Sequence, residues 1–137
     1  MKKIIIIGSG FSSLAASCYL AKAGYDVSIL EKNSEAGGRA SQLAKDGFTF
    51  DIGPTFYWMP DVFENFFADF GKKPSDFYDL IKLDPGYQVY FGKNDSISIS
   101  ADFEKIKTEF EKQEKGSSVK LNKFIANAKE NYEIAIS

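Results

Sequence analysis

The sequence contains no histidine. The commonest general base near neutral pH and the commonest metal ligand are thereby missing. It contains one cysteine, Cys18, so no disulfide and no thiolate metal centre can form within the chain. A single cysteine fits a reducing, cytoplasmic setting. No apolar run approaches the ~20 residues needed to cross a bilayer. The stretch Ile4–Ile7 after Lys2-Lys3 stops at Gly8 and is too short for the apolar region of a secretion signal. Neither sign of charge dominates: 17 basic and 19 acidic residues leave a net charge of −2. No electrostatic footprint for a nucleic acid is present, and none is expected as a partner. Internal repeats, low-complexity tracts and linkers are also missing.

What is present is ordinary for a globular chain. Of the 137 residues, 44% are hydrophobic and 26% charged, enough to build a domain with a core. Residues 2–7 form a β-branched run suited to a strand of a parallel sheet. Gly8-Ser9-Gly10 interrupts it. A helix is predicted from about Phe11 to Ala23, ended by Gly24. Its residues Phe11, Leu14, Cys18 and Ala21 are expected to face the sheet, which places Cys18 in the core. Tyr25 to Glu31 reads as a second strand, completing a β-α-β unit.

Beyond a loop with Gly37-Gly38, strands are predicted at Ala40–Lys45 and Phe48–Ile52, joined by Asp46-Gly47, a strong hairpin signal. Pro60 opens a helix that Gly71 closes. Tyr87–Phe91 and Ser96–Ser100 read as a second hairpin. A helix over about Phe103–Lys115 follows, with a mixed-charge, solvated face from Glu104 to Lys115. The last helix runs from Val119 onward, with Ser117 or Ser118 as its cap. It places Leu121, Phe124, Ile125, Ala128 and Tyr132 on one face. The fold class is therefore α/β, a Rossmann-type β-α-β start with a small α+β insertion.

One motif carries chemistry. Gly8-Ser9-Gly10-Phe11-Ser12-Ser13 occupies a dinucleotide fingerprint, with serine at the third glycine place. The first glycine permits the tight turn, and the second lets backbone approach a pyrophosphate. Free N–H groups and the dipole at the helix start would hold the phosphates. Glu31 lies 21 residues beyond Gly10, where a carboxylate can bond the ribose hydroxyls. That charge would repel a 2′-phosphate, which disfavours NADP. Arg39 is the only arginine among the 17 basic residues and sits beside a double glycine, a placement that suggests a cofactor contact. Asp51 and Asp61 are candidate bases by residue type alone and read better as structural; the catalytic residues are unknown.

The fingerprint turn, then Glu31-Lys32-Asn33-Ser34-Glu35-Ala36-Gly37-Gly38-Arg39, then Asp51-Ile52-Gly53-Pro54-Thr55, resembles the amino-terminal part of the phytoene desaturases. These are bacterial-type carotenoid desaturases of the FAD-dependent amine-oxidase-like superfamily. The resemblance continues through Leu83-Asp84-Pro85-Gly86-Tyr87 and the closing helix near Tyr132. It departs at Ser13, and family members are several times longer than this chain.

The resemblance implies FAD as cofactor. Gly8, Gly10 and the turn through Phe11, Ser12 and Ser13 would take the pyrophosphate, and Glu31 the adenosine ribose. Lys32, Gly38 and Arg39 would line the dinucleotide, with Gly53, Pro54 and Thr55 towards the flavin. The implied activity is desaturation of an apolar polyene such as phytoene. A carotenoid isomerase, a saturase, an amine oxidase and a non-catalytic dinucleotide-binding module are the alternatives.

Residues 48–91 hold 14 of the 21 aromatics, including Phe56-Tyr57-Trp58-Met59. They read as core, with a lining for an apolar substrate or a membrane-facing surface as the second reading. The expected location is cytoplasmic, with peripheral contact at the inner face of the membrane. Residues 1–55 are expected to hold the dinucleotide elements and 56–137 the start of a substrate or insertion region. The last helix has no stop signal and only two parallel strands are evident. The chain is therefore expected to be incomplete and inactive alone, with the remainder of its own enzyme completing the fold.

Overall fold

A computed structural model describes residues 1–136. The chain divides into two compact units, Met1–Lys73 and Pro74–Ser137.

The first unit begins with β1 (Lys3–Ile7), α1 (Phe11–Lys22) and β2 (Asp26–Leu30). The strands pair in parallel, with Ile4 opposite Val27 and Ile6 opposite Ile29. β-Branched side chains suit this pleated surface, and a parallel pair requires a crossover such as α1. Along β1, Ile4 and Ile6 are half-buried, whereas Ile5 and Ile7 are 65% and 87% exposed. One face of the pair is thus covered and the other is open.

The hairpin of β3 (Ser41–Lys45) and β4 (Phe48–Ile52) follows. Its turn residues Asp46 and Gly47 have φ of 53° and 82°. Positive φ at both central positions is the geometry that matches the strand twist and selects Asp-Gly. α2 (Pro60–Asp69) starts with proline in its first turn, where the missing N–H costs nothing. It packs on α1 through rings: Phe11 on Phe63 at 5.7 Å, and Tyr19 on Phe66 and Phe70 at 5.7 and 5.1 Å. The Tyr19 hydroxyl donates to Asp69 Oδ2 at 2.6 Å, and Lys22 Nζ donates to the Asp69 carbonyl.

Cys18 is exposed, contrary to its expected place in the core. The half-buried positions of α1 are Ser13, Leu14, Ala15, Ser17 and Leu20. The helix is small or apolar around most of its circumference, so no single stripe marks its buried face. Its aromatic residues turn to α2 instead.

The second unit opens with a single 3₁₀ turn at Pro74–Asp76, then pairs β5 (Tyr87–Gly92) with β6 (Asp95–Ile99). Val89 lies opposite Ile97, which is the unit's buried apolar residue at 7% exposure. α3 (Phe103–Gln113) and α4 (Ser117–Ile136) complete it. Carboxylates close its chain ends. Asp102 caps α3 by accepting the Glu104 N–H at 2.9 Å. Asp84 accepts the Ala101 N–H at 3.0 Å and the Ser100 hydroxyl at 2.8 Å.

The expected serine cap of α4 is corrected. Glu111 of α3 accepts the Gly116 and Ser118 N–H groups at 2.6 and 2.9 Å. Ser117 is the first helical residue, and its buried hydroxyl has no partner among the described residues. A charged acceptor that reaches two orphan donors at once outcompetes one local hydroxyl. Along α4, Leu121 is half-buried, but Phe124, Ile125 and Tyr132 are exposed.

Candidate dinucleotide-binding site

The site grows from the end of β1. Gly8, at φ 91°, turns the chain and donates its N–H to the Leu30 carbonyl at 2.7 Å. Gly10 is the N-cap of α1 with extended backbone and supplies no side chain to cap it. The first intrahelical bond runs from the Leu14 N–H to the Gly10 carbonyl at 3.0 Å. The N–H groups of Phe11, Ser12 and Ser13 precede it, and the first turn carries no acidic residue. These are orphan donors at the positive end of a helix dipole, the arrangement that receives a phosphate.

Ser9 lies between the two glycines and is 4% exposed. All three of its polar groups are engaged. Its N–H and hydroxyl both donate to Glu31 Oε2, at 2.7 and 2.9 Å. Its carbonyl accepts the Gly37 N–H at 2.9 Å. Glu31 follows β2 and is half-buried. Its Oε1 accepts from the backbone N–H and side-chain amide of Asn33, both at 2.9 Å. These bonds favour the ionised form, the Ser9 N–H most, then the Asn33 N–H and the Ser9 hydroxyl. The carboxyl is lowered to about 2.

The Gly37-Gly38 loop is laid back on the turn. Gly37 forms a parallel bridge with Gly10. A Cβ added at Gly38 would stand 3.2 Å from Gly10 Cα, and one at Gly53 would overlap the Arg39 carbonyl. Glycine at both places permits backbone to pass against backbone. Gly8, Gly10, Phe11, Ser12, Ser13, Glu31 and Gly38 are therefore brought together, and Gly53 is tied in through the backbone of Arg39.

The remaining expected residues stand further out. Lys32 and Arg39 have exposed side chains. Pro54 and Thr55 lie on exposed irregular chain beyond β4, outside the hydrogen bonds just described. Asp51 accepts from Gln42 across the hairpin at 2.8 Å, and Asp61 sits in the first turn of α2. Ser9, Asn33 and Gly37 were not singled out from the sequence. A hydroxyl between two glycines, facing an acid at the next strand end, is the signal that could have found Ser9.

Residues 6–72 match the family model described as an NAD(P)-binding Rossmann-like domain. A carotenoid 3,4-desaturase from Haloarcula japonica is 47% identical over 134 residues, covering 98% of this chain and 27% of the relative. A 4,4'-diapophytoene desaturase (4,4'-diaponeurosporene-forming) from Staphylococcus aureus is 42% identical over 133 residues, covering 97% of this chain and 26% of the relative. In fold, an oxidoreductase from Methanosarcina mazei superposes with a TM-score of 0.55 at 20% identity, over 96% of this chain and 31% of that one. The chain thus spans about a quarter of the length of the curated relatives it matches. Over nearly its whole length this chain is similar in sequence to part of these carotenoid desaturases, and its residues 6–72 match the Rossmann-like family model.

Proposed function

We propose that this chain is the dinucleotide-binding portion of an FAD-dependent desaturase acting on an apolar carotenoid precursor such as phytoene. The observation that carries this reading is the convergence at Ser9. A strand-end acid and a glycine loop meet an uncapped helix start, where glycine lets backbone pass against backbone. Gly8, Gly10, Phe11, Ser12 and Ser13 would hold the pyrophosphate, and Glu31 the adenosine ribose. Lys32, Gly38 and Arg39 would line the dinucleotide, with Gly53, Pro54 and Thr55 towards the ring system. When bound, the flavin would accept a hydride from a C–H bond of the polyene, with a proton leaving the neighbouring carbon to a base or solvent as the C–C bond becomes double. The chain's own contribution is to hold the nucleotide extended, to stay ionised at Glu31, and to offer backbone donors to phosphate.

The names of the relatives support a polyene substrate. Exposed Phe56, Tyr57, Trp58 and Met59, with Phe48 and Phe50 on β4, suit contact with an apolar substrate or a membrane surface. No helix among the described residues is long and apolar enough to cross a membrane, so the proposed contact is peripheral. The open face of the β1–β2 pair suits cover by the remainder of a longer enzyme. In this reading residues 1–55 supply the dinucleotide elements and 56–137 begin the substrate region. The chain alone would turn over little substrate.

A nicotinamide nucleotide is the competing ligand, favoured by the description of the matching family model. Glu31 argues against its 2′-phosphate form. Titration calorimetry with FAD, NAD and NADP separates the two. FAD is expected to bind tightest and NADP weakest; tighter binding of NAD than FAD would replace the flavin reading.

A further inference from the structure

The carboxylate of Glu31 offers about four acceptor positions, and Ser9 and Asn33 occupy them from two sides, with a weaker contribution from the Lys32 backbone N–H. Ser9 gives two donors to Oε2 and Asn33 two to Oε1. A ribose that approaches Glu31 must therefore displace one set. The two sets are unequal. Ser9 is buried, its carbonyl is held by Gly37, and its neighbours Gly8 and Gly10 belong to the turn itself. Asn33 is exposed, two residues along the chain from Glu31, in a run of bends.

We propose that Ser9 is a positioning residue that orients Glu31 towards the ribose, and that Asn33 is a stand-in whose donors the ribose hydroxyls replace. This assignment rests on the dinucleotide reading and extends it to two residues that hold no part of the ligand there. Ser9 acts through Glu31 and need not touch the ligand. Its hydroxyl selects which lone pairs stay internal, and its carbonyl keeps the Gly37–Gly38 loop on the phosphate turn. The Asn33 bonds keep the carboxylate satisfied until the nucleotide arrives.

Opposite responses of the two residues test this. ADP carries the ribose and pyrophosphate without flavin or nicotinamide, so its binding to the 137-residue chain, and that of 2′-deoxy-ADP and 3′-deoxy-ADP, can be measured by calorimetry. In the parent chain, loss of a hydroxyl that Glu31 receives should weaken binding about tenfold. In Ser9→Ala the backbone N–H bond to Oε2 remains but the hydroxyl bond is lost, so that ratio should fall, to about threefold, because the acceptor is less firmly oriented. Asn33→Ala should keep the full ratio and bind ADP equally or more tightly. Ser9→Gly serves as a second variant lacking the hydroxyl, and circular dichroism reports whether each is folded.

An unchanged ratio in a folded Ser9 variant would overturn the positioning role while leaving the dinucleotide reading intact. Equal losses in the Ser9 and Asn33 variants would overturn the stand-in role. Failure of both Ser9 variants to fold would make the residue structural and defeat the proposal. Failure of the parent chain to bind ADP at all would remove the dinucleotide reading together with it.

Discussion

The two units use one device, a carboxylate that accepts backbone N–H bonds, to different ends. In Met1–Lys73, Glu31 reaches Ser9, 22 residues away, and so joins a strand end to the start of a helix. In Pro74–Ser137, Glu111 reaches Gly116 and Ser118, and Asp102 reaches Glu104, so each closes a nearby helix end. The pKa values of Glu31, Asp84 and Glu111 are all lowered, in each case chiefly by a backbone N–H. A depressed carboxylate therefore does not by itself mark a site. What distinguishes Glu31 is its company: uncapped donors at α1 and glycines that admit a second backbone within van der Waals distance.

The largest expected effect breaks this comparison at the acid. Glu31→Ala should weaken FAD or ADP binding by tenfold or more, since charge-assisted bonds to the ribose are lost. Asp84→Ala and Glu111→Ala should leave binding unchanged. Calorimetry on the three variants checks it, and equal losses in all three would erase the distinction drawn between the units.

Gly10→Ala is the next test. Gly10 has φ −70°, and nothing lies within 4 Å of an added Cβ, so the fold should survive with little change. A methyl group would nonetheless stand where phosphate approaches, and binding should fall by about tenfold, or ~1.4 kcal/mol. A variant that binds as well as the parent would move the phosphate away from this turn.

In the second unit, Asp102→Ala removes the cap of α3. It should destabilise that unit by about 1 kcal/mol, seen as a lower midpoint in urea denaturation, without altering nucleotide binding.

The smallest expected effect is that of pH. The folded pKa of Glu31 is about 2 against an ordinary 4.5. Its stabilising contribution is therefore fully present above about pH 4.5 and is lost as pH falls towards 2. Between pH 7 and pH 5 the Glu31 side-chain carbon shift should not move. A midpoint near 4.5 in NMR titration would mean that Ser9 and Asn33 do not hold the carboxylate in solution.

Much of this arrangement was legible in the residues alone. β-Branched Ile4–Ile7, the glycines at 8 and 10, the acid 21 positions later and the Asp46-Gly47 turn each express a local rule of backbone geometry or spacing. The helices and hairpins follow the same short-range signals. The resemblance to carotenoid desaturases was also carried by contiguous motifs. Other features depended on what packs against what. Cys18 is exposed because α1 is divided between a sheet and the rings of α2, and its own composition marks no single buried face. Glu111, rather than Ser117, satisfies the start of α4 because the α3–α4 turn brings a charged acceptor to two free donors. The role of Ser9 as the meeting point of acid, turn and glycine loop needed the tertiary structure. Its partners lie 22 and 28 residues further along the chain, and only the closing of the parallel pair brings them within hydrogen-bond reach.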